Sequence, residues 1–218
     1  MLANSMAGVA AMKHLQVVLF ICFSLSLCNI CNFSNRFRKT EPGTSTSEGG
    51  SLSAEPAQPT AAQIAAIAGG EEIKWDQQGM SWTVPPGWTE SSNELQSFVW
   101  RSPGSWDAAS LIVSISNMDE NFPTEISINS YYDQARSRSK NGEVDEFKWV
   151  EIDGVKGVQF RESNPPKPDG HRRLQWLAYR KFAGQVQFVN VMLASSGKDF
   201  PRHQDAMYGI LYSTKLVH

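Results

Sequence analysis

All seven tryptophans of this 218-residue chain fall after residue 74. Large aromatic side chains supply much of the area a small domain can bury, so this partition places the hydrophobic core in the last two thirds of the sequence. The chain before it is of two kinds. Residues 15–31 are largely apolar, whereas residues 40–70 contain no aromatic, lysine or arginine. A segment that poor in large apolar groups does not offset the entropy of ordering its backbone. Within it AAQIAAIA can form a turn or two of helix, which is marginal alone in water. The organisation expected is a signal or membrane-anchor segment over 1–34, a disordered polar linker over 35–70 and one folded domain over 71–218.

Inside the domain, periodicity marks the elements. Met80, Trp82 and Val84 alternate with Ser81 and Thr83, giving a strand with one apolar face. Pro85 and Pro86 then remove two backbone donors, Gly87 supplies the turn, and Trp88 restarts the chain toward the core. Strands are expected at 97–101 and 109–116. Ile128, Tyr131, Tyr132 and Ala135 recur at helical spacing, which predicts a helix over 125–139. Asp153-Gly154 between two β-rich runs predicts a hairpin. Two long strands at 171–182 and 185–194 follow, the second apolar on both sides and therefore central. Asp199 is expected to cap a last helix that carries Pro201 in its first turn and presents Phe200, Met207, Ile210 and Leu211 to the core. Helices segregated against a mostly antiparallel sheet make the fold class α+β.

The N-terminus decides the address. From Met12 the sequence runs MKHLQVVLFICFSLSLCNIC, a charged start followed by an apolar run, as in an export signal. Leu25-Ser26-Leu27-Cys28 resembles a bacterial lipobox, although Leu27 stands where a small residue is usual. Lipidation at Cys28 would hold the exported protein at a membrane of the cell envelope. Against this, Arg36, Arg38 and Lys39 follow the apolar run, and by the positive-inside rule they favour an uncleaved anchor with a cytoplasmic domain. Both addresses stay open at this point. Cys28-Asn29-Ile30-Cys31 is nominally C-x-x-C but lacks the βαβ context of a redox site.

The domain carries 16 Lys and Arg against 19 Asp and Glu. That balance gives no reason to bind nucleic acid. With no cysteine in it, the domain offers neither a disulfide nor a thiolate site. His171 and His203 lack zinc spacing, and Gly79-Met80-Ser81 lacks the second glycine of a nucleophile elbow. The Gly-Lys of SSGKD, 195–199, lacks a phosphate-loop frame. Two acidic clusters, Asp119, Glu120 and Glu125, and Glu143, Asp145 and Glu146, lack EF-hand spacing and read as solvated surface. No catalytic residue, cofactor or metal site is assigned. Trp100, Trp149 and Trp176 read as core, while Trp106, in the turn SPGSWDA, is the candidate partner contact.

These residues resemble the PsbP/DcrB-like fold family. The likeness is carried by VPPGW at 84–88, by Leu111–Ser116 before a helix with Tyr131-Tyr132, by EIDGVKGVQFRE at 151–162, and by a C-terminal helix ending near STKL. It spans nearly all of 71–218. What the resemblance implies, through the bacterial envelope lipoprotein branch, is a binding or assembly module without catalysis. The function expected is a membrane-tethered, monomeric, non-catalytic envelope domain that binds a protein partner. The alternative is a small-ligand-binding protein or hydrolase whose pocket the sequence does not disclose.

Overall fold

The computed structural model describes residues 53–105 and 107–217. Cys28, the apolar segment, the first part of the linker and Trp106 lie outside the described residues. In chain order the elements are β1 (Glu55–Pro56), α1 (Ala61–Ala66), β2 (Glu71–Trp75), a 3-10 turn (Asp76–Gln78), β3 (Met80–Val84), β4 (Thr89–Asn93), β5 (Ser97–Arg101), β6 (Ser110–Met118), α2 (Thr124–Lys140), β7 (Val144–Ile152), β8 (Val155–Glu162), β9 (His171–Phe182), β10 (Gln185–Ser196), α3 (Phe200–Tyr212) and β11 (Lys215–Leu216). The fold is α+β, as the periodicity predicts.

Eight strands form one sheet in the order β1-β7-β8-β9-β10-β6-β5-β4, and three form a smaller one in the order β11-β3-β2. Every pairing is antiparallel except β1 with β7. β10 is central, between β9 and β6. Both long hairpins close with two residues of positive φ, Asp153 and Gly154 (47° and 79°) and Ala183 and Gly184 (49° and 78°). That is the backbone a two-residue hairpin turn needs to match strand twist.

The large sheet buries apolar groups on both faces. On one, Leu111, Val113, Leu174, Trp176, Val189, Val191 and Leu193 meet α3 and the small sheet. Phe98 of β5 joins the two sheets, its ring stacked 5.5 Å from Trp75 and 5.4 Å from Trp82. The Pro-Pro-Gly corner behaves as its chemistry requires: β3 stops at Val84, Gly87 takes φ 82°, and Trp88 is buried in this core. On the other face a second cluster, including Val158, Phe160, Leu177 and Trp149, lies under Tyr132 and Ala135 of α2.

Three features depart from the sequence reading. Residues 53–70, expected as the end of a disordered linker, are part of the fold. Thr60 and Gln63 form a capping box at the start of α1, and β1 pairs with Val150 and Glu151 of β7. α1 is held by docking: a Cβ on Gly209 of α3 would stand 2.5 Å from the carbonyl oxygen of Gln63, so only glycine admits that approach. Intrinsic helix propensity misses this because the stabilisation is tertiary. Second, Asp199 begins α3 without a side-chain cap; its carboxylate accepts from Ser196 Oγ instead. Third, two strands lie where the sequence reading placed none: β2, short but alternating through Ile73 and Trp75 into the core, and β4. β4 (TESSN) is a polar edge strand, bulged between Glu90 and Ser92, a pattern that discourages further pairing at a sheet edge.

Candidate functional site

α2 covers one part of its sheet face. Its contacts run to β7, β8 and β9, where Tyr132 stacks on Trp149 at 4.9 Å and meets Phe147 edge-on at 5.3 Å. At the near rim Tyr131 stacks on Phe188, which touches Tyr179, which in turn touches Phe122. Burial pushes the Tyr179 phenol up, and its hydroxyl shares a 2.8 Å hydrogen bond with Ser127 Oγ, tying α2 to β9. Beyond this rim α2 makes no extensive contact with β6 or β5.

The register of the strands fixes what that open half presents. Val99, Ile112, Met192 and Gln175 stand in one cross-strand row, and Ser97, Ser114 and Asn190 in the next. All seven are half-buried. Gln175 Nε2 donates to Asn190 Oδ1 at 3.2 Å, and Asn190 Nδ2 to Ser114 Oγ at 3.4 Å, so a polar ladder crosses three strands beside the apolar row. A far corner is ionic. Glu162 Oε2 accepts from Arg173 Nε at 2.8 Å and Oε1 from Arg138 Nη2 at 2.9 Å. Burial raises the Glu162 carboxyl, but Arg173 and then Arg138 outweigh it and hold it below the usual carboxylate range.

The other polar constellations serve the fold. At the bulge of β7, Asp145 and Glu146 bind Arg161, Arg172 and the hydroxyl of Tyr208 on α3. His203 Nε2 lies 2.8 Å from the carbonyl oxygen of Asp107, and His171 is exposed at the start of β9. Ser81, read against a nucleophile elbow, hydrogen-bonds Glu72 within the small sheet. Among the described residues no group of three or more His, Cys, Asp or Glu side chains could hold a metal ion. An open groove of about 580 Å³ runs along the outside of α2, lined by Ile126, Asn129, Ser130, Asp133, Gln134 and Ser137. No helix among the described residues is long and apolar enough to cross a membrane.

Of the residues singled out in sequence, Trp149 and Trp176 are buried and Trp100 packs against the main core. Trp106 and Cys28 lie outside the described residues. The open half-face was missed. Its signal was present in Ile112 and Met192, large apolar residues at positions whose strand neighbours Leu111, Val113, Val191 and Leu193 already fill the core.

No protein-family model and no curated protein matches the sequence. Solved structures do match. One is a protein of Bacteroides thetaiotaomicron, 11% identical over 68% of this chain with a TM-score of 0.44; the chain spans 49% of that protein's length. LpqN, involved in cell envelope biogenesis of Mycobacterium tuberculosis, is 12% identical over 69% of this chain and 86% of its own, with a TM-score of 0.49. Cyanobacterial PsbP from Synechocystis is 12% identical over 67% and 92%, with a TM-score of 0.42. In fold, and in fold alone, the chain is similar to these structures.

Proposed function

We propose that this is a non-catalytic, membrane-tethered protein of the cell envelope whose folded domain binds a protein partner through the open half of the large sheet. One observation carries the reading: β10 and the adjacent β6 are packed into the core on one face and only half-buried on the other. The half-buried face presents Val99, Ile112 and Met192 beside the Gln175–Asn190–Ser114 ladder. Interfaces between proteins deplete charge at their centre and place polar and charged groups at the rim. This face follows that pattern, uncharged in the middle and ionic at the Arg173–Glu162 corner. Lipidation at Cys28 supplies the tether in this reading, and Trp106 remains a candidate contact. The alternative of a small-ligand or hydrolytic site is carried by no comparable arrangement among the described residues.

The test is photo-crosslinking in cells. A benzophenone amino acid placed at Ile112 or Met192 is expected to trap a discrete protein adduct, and one at Gln134, on the outer side of α2, is not. Equal trapping at Gln134, or none at Ile112 and Met192, overturns the reading.

A further inference from the structure

Two arginines of the described residues are buried, and they are treated differently. Arg172 is bonded to the carboxylate of Asp145. Arg180, at the end of β9 with 7% of its surface exposed, has no carboxylate within ion-pair distance among the described residues. Its acceptors are all neutral. Nε donates to Gln187 Oε1 at 3.1 Å, Nη1 to the Gly79 carbonyl at 3.4 Å, and Nη2 to the Gln78 carbonyl. The Phe182 ring covers the guanidinium, 4.5 Å from Cζ. The surrounding amides are themselves fixed: Gln187 Nε2 donates to Gln78 Oε1 at 2.8 Å and to Asn117 Oδ1 at 3.3 Å, and Gln78 Nε2 donates to the Leu95 carbonyl at 2.6 Å.

A charge taken out of water costs several kcal/mol of hydration, and proteins normally offset that with an opposite charge. Here the desolvation is unopposed, and it draws the Arg180 pKa down to about 10. Beside this amide cluster stand two exposed apolar residues. Leu95 is 65% exposed and Val217 60% exposed. Val217 lies beside Gly79, as does the Phe182 ring: a Cβ on Gly79 would stand 3.0 Å from Val217 Cβ and 2.7 Å from Phe182 Cε2. Leu95 is joined to the same cluster through Gln78. A cation with no counter-charge among the described residues, covered by Phe182 and close to the exposed Val217, is complementary to a carboxylate carried beside an apolar side chain.

We propose that this end of the domain receives an acidic side chain or chain terminus of a partner protein, the carboxylate seated on Arg180 and its apolar neighbour on Leu95 and Val217. The long Nη1 contact to Gly79 is the one given up, and the planar guanidinium can then meet both carboxylate oxygens. An anionic lipid surface fits less well, because a nearly flat array of headgroups reaches exposed cations and this one is recessed. The inference rests on the reading that the domain binds a protein, but it concerns the opposite face from the open half-sheet, so the two fail separately.

The experiment is a titration of the isotope-labelled full chain in non-ionic detergent, followed by the NMR signals of Arg180 Nε–Hε and of the Gly79, Phe182 and Val217 amides. The probes are N-acetyl-leucinate and its uncharged analogue N-acetyl-leucinamide. The carboxylate is expected to shift these signals saturably and to bind about tenfold or more tightly than the amide. Val217→Asp, an exposed change that leaves the core alone, should weaken carboxylate binding, as should Arg180→Gln if that variant folds. No saturable shift, equal binding of the amide, or undiminished binding by Val217→Asp overturns the proposal. So does a response to phosphatidylglycerol vesicles with none to N-acetyl-leucinate, which would assign the site to lipid.

Discussion

The hydroxyl of Tyr208, on α3, donates a 2.7 Å hydrogen bond to Glu146 Oε2 at the bulge of β7. The phenol is pushed far up by burial and by the Glu146 carboxylate, so it stays protonated and donating. Arg161 Nη1 reaches both partners, at 3.3 Å each. The bond fastens the last helix to the edge half of the large sheet. Tyr208→Phe removes the hydroxyl while leaving Glu146 with Arg161 and Gln159. A loss of about 1–2 kcal/mol is expected, since hydrogen bonds to charged groups exceed neutral ones and the acceptor here stays paired. A urea melt checks it: the midpoint should fall with an unchanged slope. A midpoint equal to the wild type would remove this bond from the account of how α3 is held.

Glu162 makes stability pH-dependent. Its carboxyl is lower in the folded state, so it binds fewer protons there than when unfolded. The stabilisation is therefore present above the unfolded glutamate pKa of about 4.3 and is lost as pH falls through the lower folded value. Glu162→Gln should reduce stability at pH 7 by about 2 kcal/mol, because Arg138 and Arg173 lose their shared acceptor. It should also flatten the acid limb of the stability curve below pH of about 4.5. Parallel acid limbs in mutant and wild type would assign acid unfolding to other carboxylates.

Ala183 holds a φ of 49° at the tip of the longest hairpin, where an L residue with a Cβ is strained. Left-handed backbone costs a non-glycine residue about 1 kcal/mol, and asparagine adopts it more readily. Ala183→Asn creates the Asn-Gly pair favoured by such turns and should stabilise the domain by about 0.5–1 kcal/mol. That corresponds to roughly 1–4 °C in Tm for a domain of this size. Differential scanning calorimetry reads it directly, and a lower Tm would show that the tip has contacts the substitution breaks.

The tether has its own experiment. If Cys28 is lipidated, Cys28→Ser should abolish labelling by a fatty-acid analogue and release the protein from the membrane fraction. Retention of the unlabelled mutant would instead support an uncleaved anchor, and protection of the domain from protease in spheroplasts would place it on the cytoplasmic side.

What the sequence determined by itself was local. Two prolines had to end a strand after Val84, Asp153-Gly154 had to turn a hairpin, and residues alternating at periods of 2 and 3.6 had to bury one face; β3, the β7–β8 hairpin and α2 follow. Those rules act within a few residues and need no partner. The tertiary structure decided the rest, because the stabilising partner is distant along the chain. β4 has no apolar pattern and exists because β5 offers it a ladder. α1 is too short to be stable alone and persists because Gly209, far along the chain, leaves room for it. The same holds for the two surfaces that carry function here. Met192 lies in a strand apolar on both sides, and only the tertiary packing, in which α2 lies on β7 to β9 and touches β10 through Tyr131 and Phe188, leaves it half-buried on the face away from the main core. Nothing in the sequence marks Arg180, and only the docking of Gln78 and Gly79 against the end of β9 buries it with no counter-charge among the described residues.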